Sequence, residues 1–580
     1  MFTIKSQPDR KAGRHIRQSL IKNEALPVLT LMGLLVGVLA GGSLIVFTTL
    51  IDIISRYGIS FSAENNFSAL SPVIRFILPV VGAVCIIVLL KMTPVRERSL
   101  GVPHVIEQLI FHHGELSIRG IIAQFWGALL ALVFGFSVGR EGPAVHIGAG
   151  IGSQLGQSLN QSDNFNRVLI GCGVAAAISA AFNTPLAGMV FAIEVVLRKF
   201  SMGSFIPVMA ASVVAAVLSR LVYGADPAFF IPTIPTPPAI SLERSAITLL
   251  MACMTGVLAG FMMQLNVWVT RRRGQRIVFP MLVAGLLMGS VGYFIPDVMG
   301  LGYRTITSLL EGQFFSSDYL VLLLVVKLTI TALVLGLGVP GGIIGPLLFI
   351  GATIGALSTV IISGQAGEYS APQAMVGMVA MMAAVLQAPF AALITVLEMT
   401  NNPHIILSAM ESIIIACLIV SQCYKFDGLF FMQLKNRGIY PSLREECALS
   451  KVKVAGIMNT HFCRCPDLIT VPELRQLQLE YQYAIIRQFP DNGRLLVNLE
   501  GISVLPFQQT ITLSHQTATT RIEMTALGIS LQQALTTMKK YGVNGLYIVE
   551  KMPVTQEEPV ICGVITRQMI YYWYASIDGL

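Results

Sequence analysis

Gly139-Arg140-Glu141-Gly142-Pro143 has a faint copy, Gly342-Ile343-Ile344-Gly345-Pro346, at an offset of 203 in the same apolar setting. Downstream of each, small residues recur in step: Gly148, Ala149 and Gly152 match Gly351, Ala352 and Gly355. At an offset of 204, Pro185, Ala187 and Glu194 line up with Pro389, Ala391 and Glu398. The chain therefore reads as a duplicated membrane unit. Internal repeats mark transport folds, whose sites lie between the halves where broken helices aim their N-termini at an anion.

Composition agrees with this reading. Hydrophobic residues make up 54% of 580 positions and charged residues 12%, about half the charged share of an ordinary soluble protein. Runs long enough to span a bilayer, about 17–25 residues each, fall near 27–54, 72–91, 120–138, 205–223, 245–270, 277–295, 318–337 and 404–424. The stretches 142–158 and 345–363 are apolar but broken by Gly and Pro, as expected of short or re-entrant helices buried in protein. Lys5, Arg10, Lys11, Arg14, Arg17 and Lys22 precede the first run, which makes that end cytoplasmic by the positive-inside rule. The run after Pro27 is longer than a signal peptide's core of about 7–15 residues, so it reads as a retained span. Arg271, Arg272, Arg273 and Arg276 would mark another inner loop, and the net charge of +8 is assigned to topology rather than to nucleic-acid binding.

Three regions follow: a basic N-terminal segment (1–25), a membrane domain (26–436, halves about 26–223 and 241–436) and a soluble tail (441–580). The Pro-rich stretch from Pro227 to Pro238 connects the halves. In the tail, 531–548 reads as an amphipathic helix, a turn at Gly542 and a strand, followed by Gly563-Val564-Ile565-Thr566-Arg567. An α/β unit is expected there. Nine cysteines are scattered, five of them in apolar runs, and read as reduced thiols; Cys463 and Cys465 lack the second pair that a zinc site needs.

The first motif sets a carboxylate between two glycines just before a helix start. Glycine lets backbone N–H groups approach an ion, Pro suits the first turn, and the helix dipole favours negative charge there. A buried Glu141 is itself an anion, so it must compete with a dissolved one or become protonated. His146, five residues on, reads as a histidine hydrogen-bonded within the bundle. Glu107, His112, His113 and Glu115 fall in what reads as a turn-like linker after Pro103, and no metal is expected there.

At these residues the chain resembles the CLC family of chloride channels and chloride/proton antiporters, over about 27–435. Gly139-Arg140-Glu141-Gly142-Pro143 matches the family's G-[KR]-E-G-P, and Ala181-Phe182-Asn183-Thr184-Pro185-Leu186-Ala187-Gly188 resembles a second family stretch. The resemblance implies an all-α polytopic domain of two inverted repeats with broken and re-entrant helices, and a homodimer with one pore per subunit. It implies a gating role for Glu141, and it likens the tail to a degenerate cytoplasmic α+β pair of CBS-type modules.

Departures from the family pattern bear on mechanism. Where the family has G-S-G-I-P, with a Ser hydroxyl on the central anion, this chain has Ser99-Leu100-Gly101-Val102-Pro103. Ile344 replaces the Phe of G-x-F-x-P, and Phe430 aligns with a frequent Tyr. Each hydrogen bond to a charged group returns roughly 1.5–3 kcal/mol, so two lost hydroxyls weaken a dehydrated site by up to about 3–6 kcal/mol. The expected anion-binding set is Leu100, Gly101, Gly139, Arg140, Glu141, Gly142, Ile343, Ile344 and Phe430, a shallow, wet site coordinated mainly by amides of Ile343, Ile344 and Glu141. Family antiporters usually carry consecutive glutamates where this chain has Glu194-Val195, so Val195 is a lost internal proton acceptor and Glu194 shares a structural role with Glu398. In the tail, Met569 stands where nucleotide-binding modules have an Asp on the ribose. Adenine nucleotide is therefore not expected, nor any other cofactor.

The resulting expectation is passive, selective chloride permeation through a multi-pass protein of an inner or plasma membrane, with both termini cytoplasmic. Glu141 would serve as its voltage- or pH-sensitive gate, and the partners would be chloride, lipid and a second copy. The alternative is a chloride/proton antiporter using a non-standard internal proton path, and a weaker one is a ligand sensor with a vestigial pore. No H-E-x-x-H and no membrane-protease Ser/His pair is visible, so no enzyme is expected.

Overall fold

The computed structural model describes residues 25–55, 67–112, 114–159, 163–198, 202–224, 242–274, 276–311, 316–363, 370–437, 452–488, 493–502, 509–515, 519–550 and 560–578. The expected basic segment before residue 25 and the Pro227–Pro238 connection lie outside them. The chain divides into two compact units, Met1–Ile439 and Tyr440–Leu580.

The first unit is all-α. Its first half contains α1 (Ala25–Ile54), α2 (Pro72–Met92), α3 (Val102–Phe111), α4 (Ile118–Val133), α5 (Glu141–Ser158), α6 (Asp163–Phe182), α7 (Pro185–Phe191, continued by a π-helical turn Ala192–Leu197) and α8 (Met202–Tyr223). The second half repeats the series as α9 (Leu242–Arg273), α10 (Val278–Phe294), α11 (Tyr303–Leu310), α12 (Ser317–Leu337), α13 (Ile344–Ser363), α14 (Ser370–Leu386), α15 (Pro389–Thr400) and α16 (Ile406–Leu418), with α17 (Leu429–Asn436) closing it. The order long, medium, short, medium recurs at the start of each half.

Among the described residues, eight helices are long and apolar enough to cross a membrane. Two expected spans, near 120–138 and 277–295, are shorter helices of 16 and 17 residues. Asn164–Phe182, which hydropathy alone passed over, is long enough. In this helix and in Ile344–Ile362, 89% of the most apolar 18-residue stretch is buried in protein, so small, close-packing side chains rather than lipid-facing bulk define them. Gly148 and Gly173 bring α5 and α6 together: a Cβ on Gly148 would lie 2.2 Å from the Gly173 carbonyl oxygen. In the second half a Cβ on Gly351 would lie 2.3 Å from the carbonyl of Gly377, in the corresponding pair α13 and α14. Residues 102–111 form a helix rather than the expected turn-like linker, because Gly101 caps it and Val102, Val105, Ile106 and Leu109 give it an apolar face.

Glu194 and Glu398 tie the halves together reciprocally. The amides of Phe390 and Ala391, at the start of α15, donate to Glu194 at 3.3 and 2.6 Å, and those of Leu186 and Ala187, at the start of α7, donate to Glu398 at 3.1 and 2.7 Å. Each carboxylate thus satisfies orphan N–H groups of the opposite repeat and complements its dipole. This is the structural pairing expected of Glu194.

The tail is α+β. Its strands are β1 (Phe462–Arg464), β2 (Leu468–Thr470), β3 (Tyr483–Gln488), β4 (Gly493–Asn498), β5 (Thr510–Thr512), β6 (Thr519–Ala526), β7 (Gly545–Val549) and β8 (Ile561–Thr566); its helices are α18 (Val471–Glu480), α19 (Leu531–Tyr541) and α20 (Arg567–Asp578). Six strands form one sheet in the order β1-β3-β4-β6-β7-β8, and β2 pairs with β5. One arrangement occurs twice: β1 and β3 are parallel with α18 between them and β4 returns antiparallel, while β6 and β7 are parallel around α19 and β8 returns antiparallel. Both connecting helices start with a capping box, Thr470 with Glu473 and Ser530 with Gln533. The expected helix, turn and strand within 531–548 are found, with Gly542 at φ 65° ending α19.

Loss of a charge-assisted hydrogen bond costs about 1.5–3 kcal/mol, so Glu398→Ala should lower the unfolding temperature of the detergent-solubilised protein clearly. Glu398→Gln, which keeps acceptor oxygen at that position, should recover part of the loss in the same melting measurement.

Candidate functional site

The two motif loops meet back to back. The Gly139 amide donates to the Gly342 carbonyl at 2.7 Å and the Gly342 amide to the Gly139 carbonyl at 2.6 Å, an antiparallel bridge. A Cβ on Gly142 would lie 2.7 Å from Gly342 Cα, so the crossing is possible only with glycine there. It sets the N-terminus of α5 beside that of α13.

Glu141, the first residue of α5, is fully buried. Its Oε2 accepts from the Gly345 amide, in the first turn of α13, at 3.2 Å, and its Oε1 accepts from the Tyr303 hydroxyl at 3.0 Å. The carboxylate thus occupies the place that an anion would take at the N-terminus of α13. The Arg140 guanidinium stands 5.5 Å from the Tyr303 ring centre and 5.6 Å from that of Phe182, within cation–π range of both.

Beside this crossing lies a cavity of about 850 Å³. Four helix starts reach its wall: Gly101 and Val102 (α3), Gly142 (α5), Ile343 and Ile344 (α13), and Leu429 and Phe430 (α17). Gly101 and Gly428, the residues before α3 and α17, hold φ of 83° and 103°, conformations that favour glycine. Orphan N–H groups and aligned dipoles from four helices give one space a positive potential. Arg98, Arg271, Arg273, Arg276 and Arg437 also line it, against one carboxylate, Glu107. The basic cluster read as an inner loop therefore serves the cavity as well.

The structure brings Leu100, Gly101, Gly142, Ile343, Ile344 and Phe430 of the expected anion-binding set to this one wall, and leaves Gly139, Arg140 and Glu141 off it. Arg140 points among aromatic rings and Glu141 sits behind the glycine crossing. The Glu141 amide accordingly takes no part in the cavity wall, which leaves Ile343 and Ile344 there from the three expected amide donors. Val195, the expected coupling position, is buried in the π-helical turn.

Three residues were missed. Tyr303 supplies the hydroxyl that holds Glu141, from a helix 162 positions away. Nothing in the sequence around it signals that role. Gln124, on α4, accepts from the Gly101 amide at 2.7 Å and lines the cavity, while its buried Nε2 has no hydrogen-bond partner. A buried, unpartnered donor beside an anion-attracting space is a neutral hydrogen-bonding group available to a ligand. A polar residue within the apolar stretch 118–133 was the available signal. Lys327, wholly buried on α12, donates to the Val298 and Gly300 carbonyls at 2.9 and 3.0 Å, and so holds the loop that leads to Tyr303. His146 is hydrogen-bonded within the bundle, as expected: its Nδ1 accepts from the Gly101 amide at 3.0 Å. Of the four residues weighed for a metal, His113 lies outside the described residues, and among those described no group of three or more ligand side chains is found.

A duplicated helical membrane unit whose broken helices turn four N-termini and five arginines on one cavity, beside a buried carboxylate, defines an anion-conducting or anion-transporting protein. A family model described as voltage gated chloride channel matches residues 80–421, more than half of the chain, and the protein belongs to this family, the CLC family. A Ralstonia nicotianae protein named "Putative chloride channel protein ClcB-like" is 29% identical over 327 residues, 55% of this chain and 75% of that one. The H(+)/Cl(-) exchange transporter ClcA of Vibrio cholerae is 29% identical over 334 residues, 55% of this chain and 71% of the relative. Among solved structures, a slow cyanobacterial Cl-/H+ antiporter superposes with a TM-score of 0.60 at 20% identity, covering 71% of this chain and 97% of its own. A eukaryotic CLC transporter gives 0.60 at 17% identity and covers 93% of this chain and 97% of its own. These likenesses establish the fold of a multi-pass CLC anion transporter with an α+β tail.

Replacing a neutral donor to an anion removes about 1.5–3 kcal/mol, so Gln124→Leu should weaken chloride binding measured by calorimetry by roughly tenfold or more.

Proposed function

We propose that the protein exchanges chloride for protons across a membrane. The observation that carries the proposal is the position of the Glu141 carboxylate at the N-terminus of α13, held by the Gly345 amide and the Tyr303 hydroxyl. An ionised side chain in an anion's seat must leave or take up a proton before an anion can replace it, which links proton uptake to anion entry. Exchange transporters among the relatives support this reading over the channel expected from Val195. The second reading, passive permeation with Glu141 as gate, rests on Val195 alone: a buried alkyl side chain holds no proton.

Chloride is the proposed anion. Its coordination falls to amides at Gly142, Ile343 and Ile344, aided by Gln124, while Leu100 and Phe430 contribute apolar wall. We further propose a homodimer, cytoplasmic termini, and a tail that is a CBS-type pair. The twofold strand-helix-strand arrangement of the tail supports the last point. Its second module caps α20 with Thr566, whose hydroxyl accepts from the Met569 amide at 3.2 Å. That position carries no carboxylate for a ribose, so the tail serves stability or gating rather than nucleotide sensing.

In liposomes, an outwardly directed chloride gradient should drive protons inward against a pH gradient in the parent protein. Glu141→Gln should abolish the proton movement, keep chloride moving, and flatten the dependence of chloride flux on external pH. Chloride movement without any proton movement in the parent would favour the channel reading. Separately, the full-length protein should show no thermal shift with ATP, ADP or AMP, and binding at mid-micromolar or tighter affinity would contradict the assignment of the tail.

A further inference from the structure

Exchange needs a second proton site, on the side of the bundle away from Glu141, because bare charge is costly in a membrane interior and ionisable side chains there mark proton routes. The position expected to provide one is Val195. Among the described residues lining the basic cavity there is one acidic side chain, Glu107. Its Oε2 lies 3.6 Å from Nδ1 of His104, one turn earlier on α3, and 3.4 Å from Nη1 of Arg437. His104 is buried, and its Nδ1 has no hydrogen-bond partner. A histidine kept only for packing would have its ring nitrogens satisfied. Behind it the ring of His146 lies 5.5 Å away, centre to centre, on α5, the helix that begins with Glu141. Five residues of ideal helix separate His146 from Glu141, about 7.5 Å along the axis.

We propose that Glu107 and His104 together form the inner proton station of this transporter, an inference that rests on the exchange reading above. Glu107 takes a proton from water in the cavity and passes it to Nδ1 of His104. The carboxylate then faces an imidazolium at ion-pair distance. His104 returns to neutral when it releases one ring proton to water, since Nδ1 of His146 is already held by the Gly101 amide, so one proton enters the pair and one leaves it, and no other bond changes. Imidazole suits the task because one ring nitrogen can accept a proton while the other gives one up.

The neighbouring charges leave this pair as the available site. From α17, Arg437 holds Glu107 as a carboxylate partner. From the π-helical turn, Glu194 is committed to the amides of Phe390 and Ala391. From α5, His146 uses Nδ1 to accept from Gly101. His112 follows α3 directly at its C-terminal end.

The test is simultaneous chloride and proton flux in liposomes for the parent, His104→Gln, Glu107→Gln and Glu107→Asp. Gln in place of either residue should lower the proton-to-chloride ratio by about tenfold or more, and Glu107→Asp should restore much of it. A melting measurement in detergent identifies a variant that fails to fold; the Asp variant, which preserves charge, then carries the comparison through its internal-pH profile, which should shift relative to the parent. An unchanged ratio in both Gln variants, or an unshifted pH profile of the Asp variant where only that one folds, overturns the inference while leaving exchange intact. A parent that moves chloride without protons overturns the exchange reading and this inference together.

Discussion

The backbone bridge between Gly139 and Gly342 is the constraint on which the site depends. Two loops from opposite repeats cross at 2.6–2.7 Å between amide and carbonyl, a separation that leaves no room for a Cβ at Gly142. Once the crossing exists, the N-termini of α5 and α13 must lie side by side. A carboxylate on the first residue of one helix then falls onto the first free amides of the other, which is why Glu141 meets Gly345. The reciprocal caps, Glu194 on α15 and Glu398 on α7, fix the same two repeats at a second place. The internal duplication therefore has direct chemical content: each half finishes the helix ends that the other leaves open.

At the helix starts themselves, the cavity's hydrogen-bond donors come from backbone. Four helix starts contribute orphan N–H groups, and the side chains nearest to them, Leu100, Ile344 and Phe430, carry no donor. Amide dipoles fixed by secondary structure need no reorganisation when an ion arrives, whereas hydroxyl rotors do. Gln124 supplies a side-chain donor from an element that sequence comparison with the family pattern does not bring to the site. Five arginines concentrate anions at the wall, and two are held by hydrogen bonds within the fold: Arg271 Nε donates to Asn436 Oδ1 at 2.7 Å and Arg98 Nε to the Thr93 carbonyl at 2.9 Å.

Much of this was legible in the chain. The repeat of Gly139–Pro143 at Gly342–Pro346 fixed the architecture because backbone crossings leave small residues behind as a trace. Paired motifs at Pro185 and Pro389 likewise announced the reciprocal glutamates. Hydropathy misjudged 120–138 and 164–182, since a helix buried among other helices carries Gly and Ala instead of lipid-facing side chains. The turn expected around Glu107 was a helix, because the apolar face of 102–111 is too short to register as a span. Tyr303 was invisible: its role follows from a tertiary approach across 162 positions, and no local pattern encodes it. The sequence departure at Val195 weighed towards a channel, yet it speaks of one position only, and the buried imidazole of His104 beside Glu107 shows that titratable groups stand elsewhere on the same side of the crossing.

The central claim is that the Glu141 carboxylate and a permeating anion compete for one seat at the N-terminus of α13. Anomalous scattering from crystals soaked in bromide, at a pH where carboxylates are ionised, tests it directly on the parent and on Glu141→Gln. The account predicts no bromide at the Gly345 amide in the parent and a bromide there in the variant, where the neutral side chain is displaced. Bromide seated on the Gly345 amide alongside an undisplaced Glu141 carboxylate in the parent would contradict it.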